Sequence, residues 1–350
     1  MTVRIVVLAG GLSAERDVSW STGTKVCRAL RQLGHDAALL DVYLGWDGDL
    51  NQTDFFATDH IADPTAAVAT VAPDLARLRA QPRPGAAGYF GPQVIAICQA
   101  ADIVFVGLHG DQGENGRLQA AFDLLGIRYT GSGYLASALA MHKDLAKLIL
   151  TADGVRMPGG RTHRVADALD LAGVALPCVV KPCSGGSSIG VSIARSVDEL
   201  RQALGTAAEF EADLLIEQYV AGREFSVGVL GDTALPVIEI IPMTGFYDYA
   251  TKYQVDAAVT EVCPADLNAA TTAALQATAL AVHRGLGLEV YSRIDAIVDA
   301  EGDIYCLETN TLPGMTPTSL LPQEAAAAGL SYAELCQRVI DLSLAKYQAN

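Results

Sequence analysis

The chain has 350 residues, 51% of them hydrophobic, and a formal net charge of −16. That length predicts two or three domains rather than one core, and the acidic balance excludes nucleic acid and anionic membranes as partners, because phosphate binding needs clustered Lys and Arg. The seven cysteines stand singly at 27, 98, 178, 183, 263, 306 and 336, a pattern that fits neither structural zinc nor a disulfide framework.

The apolar run at 3–8 ends in Gly10-Gly11 and then Glu15-Arg16-Asp17, so it reads as a buried strand and not as a signal peptide. No stretch approaches the roughly 20 apolar residues of a membrane span, and a cytoplasmic address is expected. A helical pattern follows at about 14–33, with Val18, Val26, Ala29, Leu30 and Leu33 mostly on one face. Residues 37–42 and 103–108 read as further strands. This βαβ rhythm predicts a parallel sheet whose ligand contacts lie at the carboxyl ends of its strands, where Glu15 and His109 fall. Residues 45–90, rich in Asp, Ala and Pro, read as a weakly structured insertion.

The middle of the chain changes character. Residues 178–182 and 191–194 read as strands flanking a glycine-rich loop at 183–190. A loop of this kind between strands, and not ahead of a helix, suits a flexible lid. A helix at 196–207 and strands at 214–219 and 224–230 follow, then a helix at about 267–285 and a terminal helix at about 332–347.

A hairpin is predicted from 291–298 and 304–310, with Asp299-Ala300-Glu301-Gly302-Asp303 as its turn. Pairing Asp299 with Ile304 sets Asp295 opposite Glu308 and Arg293 opposite Asn310, all on one face, with Ile294, Ala296, Val298 and Leu307 on the other. Directly opposed carboxylates repel and need a cation or a shared proton between them. Asp295, Glu308 and Asn310 offer only oxygen, which suits Mg²⁺ held jointly with phosphates. Arg293 beside them adds a cation for a phosphoryl group or an oxyanion. A solvated face with one Arg–carboxylate pair fits the same spacing. The loop that follows, with Pro313, Gly314 and several hydroxyls, offers backbone N–H groups for an oxyanion or a carboxylate. Neither the P-loop nor the dinucleotide fingerprint occurs, so the N-terminal rhythm alone does not make a dehydrogenase. Lys143, Lys181 and Lys252 each lie beside a loop, and only folding brings them together.

Seven ordered segments carry a resemblance: 10–19 (GGLSAERDVS), 109–116 (HGDQGENG), 129–133 (YTGSG), 136–143 (ASALAMHK), 181–190 (KPCSGGSSIG), 246–253 (FYDYATKY) and 308–316 (ETNTLPGMT). Together they resemble the ATP-grasp family, and within it the D-alanine–D-alanine ligases. The resemblance implies an α/β (α+β) ATP-grasp fold. It would comprise an N-terminal parallel βαβ domain at 1–140, a central domain with the lid at 141–232, and a C-terminal domain at 233–350, the last two clasping ATP. It implies that one D-alanine carboxylate takes the γ-phosphoryl group and that the amine of a second attacks the acyl phosphate, giving the dipeptide used in peptidoglycan precursor synthesis.

By motif position, Glu15 would hold the first ammonium group in a set with Ser187 and Tyr253, and His109 would lie near the acyl donor. Lys143, Lys181, Lys252 and Ser188 would contact ATP phosphates, with Glu217 and Glu224 on the adenosine. Asp295, Glu308 and Asn310 would bind two Mg²⁺, with Mn²⁺ an alternative metal. Arg293 and the Gly314 N–H would stabilise the tetrahedral oxyanion, and Ser319 would receive the second carboxylate. A homodimer, with no nucleic acid or membrane partner, is implied in the same way. His142 stands where Asp is expected, Asn115 where Asp is common, and Ser184-Gly185 replaces bulkier residues. D-serine or D-lactate as the second substrate, a specialised biosynthetic pathway, or a nucleotide-binding regulator without catalysis are the competing readings.

Overall fold

The structure is a computed structural model that describes residues 2–57, 60, 73–242 and 259–348. Three sheets organise it. In the first, β1 (Arg4–Ala9) lies between β2 (Asp36–Asp41) and β3 (Ile103–Val106), all parallel. Residues 5–9 of β1 are fully buried, as expected for a parallel strand covered on both faces, whose sequence reads as a continuous apolar run. The helix Arg16–Gln32 crosses from β1 to β2 and buries Val18, Val26, Ala29 and Leu30, the face expected from sequence. Leu33 falls outside it and is exposed.

The second sheet is antiparallel, with order β4-β7-β5-β6, from β4 (Gly160–Arg164), β5 (Cys178–Pro182), β6 (Ser192–Ala194) and β7 (Asp213–Gln218). The helix Val197–Ala208 covers one face with Leu200, Ala203 and Ala207. Ser196 caps it by accepting from the Glu199 N–H at 3.2 Å, which satisfies a donor the first turn leaves unpaired.

The third sheet holds β8 (Arg223–Leu230), β9 (Thr233–Ala234), β10 (Ile238–Pro242), β11 (Val259–Val262), β12 (Tyr291–Val298) and β13 (Ile304–Asn310). Its order is β11-β10-β8-β12-β13, with β9 added beside β8. Leu275, Ala279 and Val282 of the helix Ala269–Gly285 pack on Ile294, Ala296 and Cys306, so this sheet buries one face and leaves the other open.

The 45–90 insertion differs from expectation at its flanks. Phe55 and Phe56 are buried, and the Trp46 ring meets Phe55 edge-on at 5.3 Å between centroids. These aromatics anchor the segment to the N-terminal core without forming a periodic pattern that the sequence would reveal. The helix Leu75–Ala80 within it buries nothing. Among the described residues, no helix is long and apolar enough to cross a membrane.

Candidate active site

The open face of the third sheet, the edge of the second and the carboxyl ends of the first enclose one cleft of about 700 Å³. Every expected site residue that the structure describes lines it: Glu15, His109, Lys143, Lys181, Ser187, Ser188, Glu217, Glu224, Arg293, Asp295, Glu308, Asn310, Gly314 and Ser319. Lys252 and Tyr253, with the rest of the 246–253 segment, lie outside the described residues.

The hairpin register is as expected where it matters and different nearer the turn. Arg293 pairs with Asn310 and Asp295 with Glu308, but Ala296 pairs with Cys306 and Val298 with Ile304. A β-bulge at Leu307 absorbs the difference. Such an extra residue re-aims side chains: Cys306 turns into the core at 0% exposure, while Leu307 and Glu308 both line the cleft. The expectation that Leu307 shares the apolar face with Ile294 and Ala296 is therefore corrected.

Asp295 is held from three sides. Arg293 donates from Nε to Oδ1 at 2.9 Å and from Nη2 to Oδ2 at 2.7 Å, Ser226 Oγ donates to Oδ1 at 2.8 Å, and Asn310 Nδ2 donates to Oδ2 at 3.2 Å. Ser226 reaches it because it sits opposite Asp295 on β8. Across the hairpin, Lys143 Nζ lies 3.8 Å from Glu308 Oε2. The opposed carboxylates are thus each balanced by a basic side chain.

The facing wall is built on lysines. Lys143 opens the helix Lys143–Ala152; its N–H donates to the Cys183 carbonyl at 2.8 Å and its Nζ to the Gly185 carbonyl at 2.5 Å. Lys181 at the end of β5 pairs with Glu217 of β7 at 2.5 Å, and Lys147 pairs with the other Glu217 oxygen at 2.6 Å. Burial alone would push the Glu217 carboxyl up, but Lys181 and Lys147 outweigh it and hold it below the ordinary range.

Between the walls runs the loop at 183–190. Glu211 fixes its start by accepting from the Ser184 N–H at 2.7 Å and from Ser184 Oγ at 2.8 Å. Ser187 and Ser188 adopt left-handed backbone with φ of 54° and 57°, which costs a non-glycine residue about 1 kcal/mol or more. In that conformation Ser187 Oγ donates to Glu15 Oε1, so the loop closes onto the N-terminal sheet.

His109, buried at the end of β3, meets Thr22 Oγ1 through Nε2 at 2.9 Å and the Leu312 carbonyl through Nδ1 at 3.2 Å. A carbonyl only accepts, so Nδ1 donates to it. Glu114 lies 3.8 Å from Nδ1; burial pushes its carboxyl up, with His109 opposing. Gly314 is tight against Ser319: an added Cβ would stand 2.8 Å from Ser319 Oγ. That hydroxyl also lies 2.8 Å from Thr316 Oγ1.

Reasoning from sequence missed Ser226, Glu114, Lys147, the bidentate Arg223–Glu239 pair at the cleft edge, and Glu324. Ser226 alternates with Glu224 along β8, and that two-residue period was the available signal. Glu324 had none. It is fully buried with no hydrogen-bond partner for either oxygen among the described residues, and burial pushes its carboxyl well up, with Arg293 opposing. An added Cβ on Gly228 would collide with Glu324 Oε2, so this approach requires glycine.

Comparisons agree with this architecture. Residues 4–132 match the family model described as D-ala D-ala ligase N-terminus, and residues 162–341 match D-ala D-ala ligase C-terminus. A D-alanine–D-alanine ligase from Pediococcus pentosaceus is 41% identical over 344 residues, covering 97% of each chain. One from Geobacter sulfurreducens is 39% identical over 342 residues, covering 97% of this chain and 93% of the relative. A solved D-alanine–D-alanine ligase from Bacillus anthracis, complexed with ATP, superposes with a TM-score of 0.77 at 29% identity over 100% of this chain and 99% of its own. With both family models matched in order and relatives of this identity spanning nearly the whole length, this chain belongs to the D-alanine–D-alanine ligase family.

Proposed function

We propose that this chain joins two D-alanine molecules into D-alanyl-D-alanine at the expense of ATP. The observation that carries the reading is the convergence in one cleft of a lysine wall, a carboxylate wall and the Arg293, Gly314 and Ser319 corner. Lys143 and Lys181 orient the phosphate chain as point charges. Apolar Val179, Ile297 and Leu307 face the same cleft and suit a purine base, with Glu217 and Glu224 near it to accept from its amino group or the ribose. Ser188, held with φ positive, presents the lid to the phosphates.

Asp295, Glu308 and Asn310 form an oxygen-only donor set on one face, the chemistry that a hard divalent cation takes. Bound there, Mg²⁺ or Mn²⁺ would neutralise phosphate charge during transfer. Glu15, aligned by Ser187, holds the ammonium of the first D-alanine, so that its carboxylate oxygen attacks the γ-phosphorus and ADP leaves. His109 lies beside the acyl phosphate. The amine of the second D-alanine, whose carboxylate Ser319 receives, attacks the acyl carbon. Arg293 and the Gly314 N–H stabilise the tetrahedral oxyanion, which collapses with loss of inorganic phosphate. Loop closure between Ser187 and Glu15 excludes water from the acyl phosphate. Lys252 and Tyr253 complete the set by motif position.

The expected division into 1–140, 141–232 and 233–350 belongs to the same reading with one adjustment. Because β8 pairs with β10 and β12, we draw the second boundary before Arg223. A homodimer and a cytoplasmic site of action go with it; light scattering on the purified chain measures the first.

Phosphate release with ATP and Mg²⁺ tests the function, using D-alanine alone, D-alanine with D-serine and D-alanine with D-lactate, with product masses recorded. Release with D-alanine alone and a dialanine mass is expected. Product only in a mixture would move the second substrate, and silence throughout with ATP still bound would overturn catalysis.

A further inference from the structure

Glu217 accepts from one lysine on each carboxylate oxygen: Lys181 at 2.5 Å and Lys147 at 2.6 Å. The three side chains are nearly dry, at 10%, 14% and 4% exposure for Lys181, Lys147 and Glu217. Lys181 and Glu217 line the cleft, whereas Lys147 stands behind them, one turn along the helix from Lys143, with its Nζ also donating to the Pro158 carbonyl. In such a site the charge count decides what the wall can attract. One carboxylate and one lysine sum to zero, and in low dielectric they would satisfy each other. The second lysine raises the sum to one positive charge and divides Glu217 between two cations.

We propose that Lys147 is a positioning residue for nucleotide phosphates: by sharing Glu217, it leaves Lys181 with charge to spare for the phosphate chain. The inference rests on the reading of the cleft as a nucleotide site. A Lys147 that only ties its helix to β7 would matter equally for every nucleotide. One that sets the charge of the wall matters in proportion to ligand charge.

Calorimetric titration of the full-length chain with ATP and with adenosine, Mg²⁺ present, separates the two. Lys147→Met is expected to reduce the preference for ATP over adenosine by about tenfold, the scale of one charge removed at a partly dry site. Lys147→Gln, which keeps donors for Glu217 and Pro158 but not the charge, is expected to show the same reduction and covers the case in which the Met variant does not fold. A Lys147→Gln chain that discriminates ATP from adenosine as the parent does overturns the proposal. Equal weakening of ATP and adenosine overturns it as well. A parent chain that prefers ATP no more than adenosine would instead refute the nucleotide reading on which it rests.

Discussion

The wall on β5 and β7 carries lysines gathered around one carboxylate, whereas the wall on β8, β12 and β13 carries carboxylates gathered around Arg293 and Asn310. Both are antiparallel sheets with a helix on the far face, and both hold their charges in ion pairs. They differ in what is left over. The first sums to an excess of positive charge around Glu217; the second presents Asp295 and Glu308 against Arg293. A polyphosphate carrying a divalent cation matches that asymmetry, because its oxygens meet the lysines and its metal meets the carboxylates.

Substitutions can break the asymmetry on either side. The largest effect is expected from Glu308→Gln, which removes one negative oxygen from the carboxylate wall without changing its shape. Turnover should fall about 10³-fold, the cost of several kcal/mol of charge stabilisation, with the circular dichroism unchanged; near-parental turnover would show that the wall does not bind metal. Lys181→Met on the other wall should raise the KM for ATP by about a hundredfold, two lost charge-assisted contacts, while leaving the amino-acid KM within a few-fold. A comparable change in both would blur the separation of walls.

At the corner where the walls meet the loop, Gly314→Ala places a methyl group 2.8 Å from Ser319 Oγ and should raise the KM for the second amino acid about tenfold by displacing that hydroxyl. An unaltered KM would remove Ser319 from carboxylate binding. A fourth expected effect concerns stability and not turnover. His283, buried behind the carboxylate wall and bonded to Ser292 at 2.7 Å, has its pKa lowered to about 4 from 6.5 by burial, with Arg284 adding to it. The folded state therefore resists a proton that the unfolded chain accepts. Its contribution is complete above pH 6.5 and is lost as pH falls toward 4, by at most about 3 kcal/mol. Denaturant melts of His283→Gln should show a shallower decline across that window; an identical decline would assign the acid sensitivity elsewhere.

How far the sequence disclosed these walls depended on the range of the interactions. The hairpin could be read because Asp295 and Glu308 lie on strands joined by a short turn; the expected register holds at that pair and is one residue off at the turn, where the bulge at Leu307 takes up the difference. The Cys178–Pro182 strand could be read from its β-branched run. The lysine wall needed Lys181, Glu217 and Lys147 from three elements, and no period links them; only the resemblance drew Lys181 and Glu217 together, and Lys147 escaped. Glu324 escaped for a stronger reason. Nothing in the helical stretch at 320–324 (LLPQE) marks an acid that will be sealed over Gly228, and a helical carboxylate ordinarily faces water.

The bulge at Leu307 lets strand β13 carry one residue more than its partner while both ends of the hairpin keep their faces. Cys306 belongs to the core and Leu307 and Glu308 to the cleft, so two adjacent side chains must face the same way where simple alternation would separate them. Removing Leu307 would restore plain alternation along the hairpin with Cys306 still opposite Ala296 and Glu308 still opposite Asp295, at the cost of the apolar side chain that Leu307 adds to the cleft wall. In a lineage of such chains, loss of Leu307 would be absorbed more readily than substitution of Asp295 or Glu308.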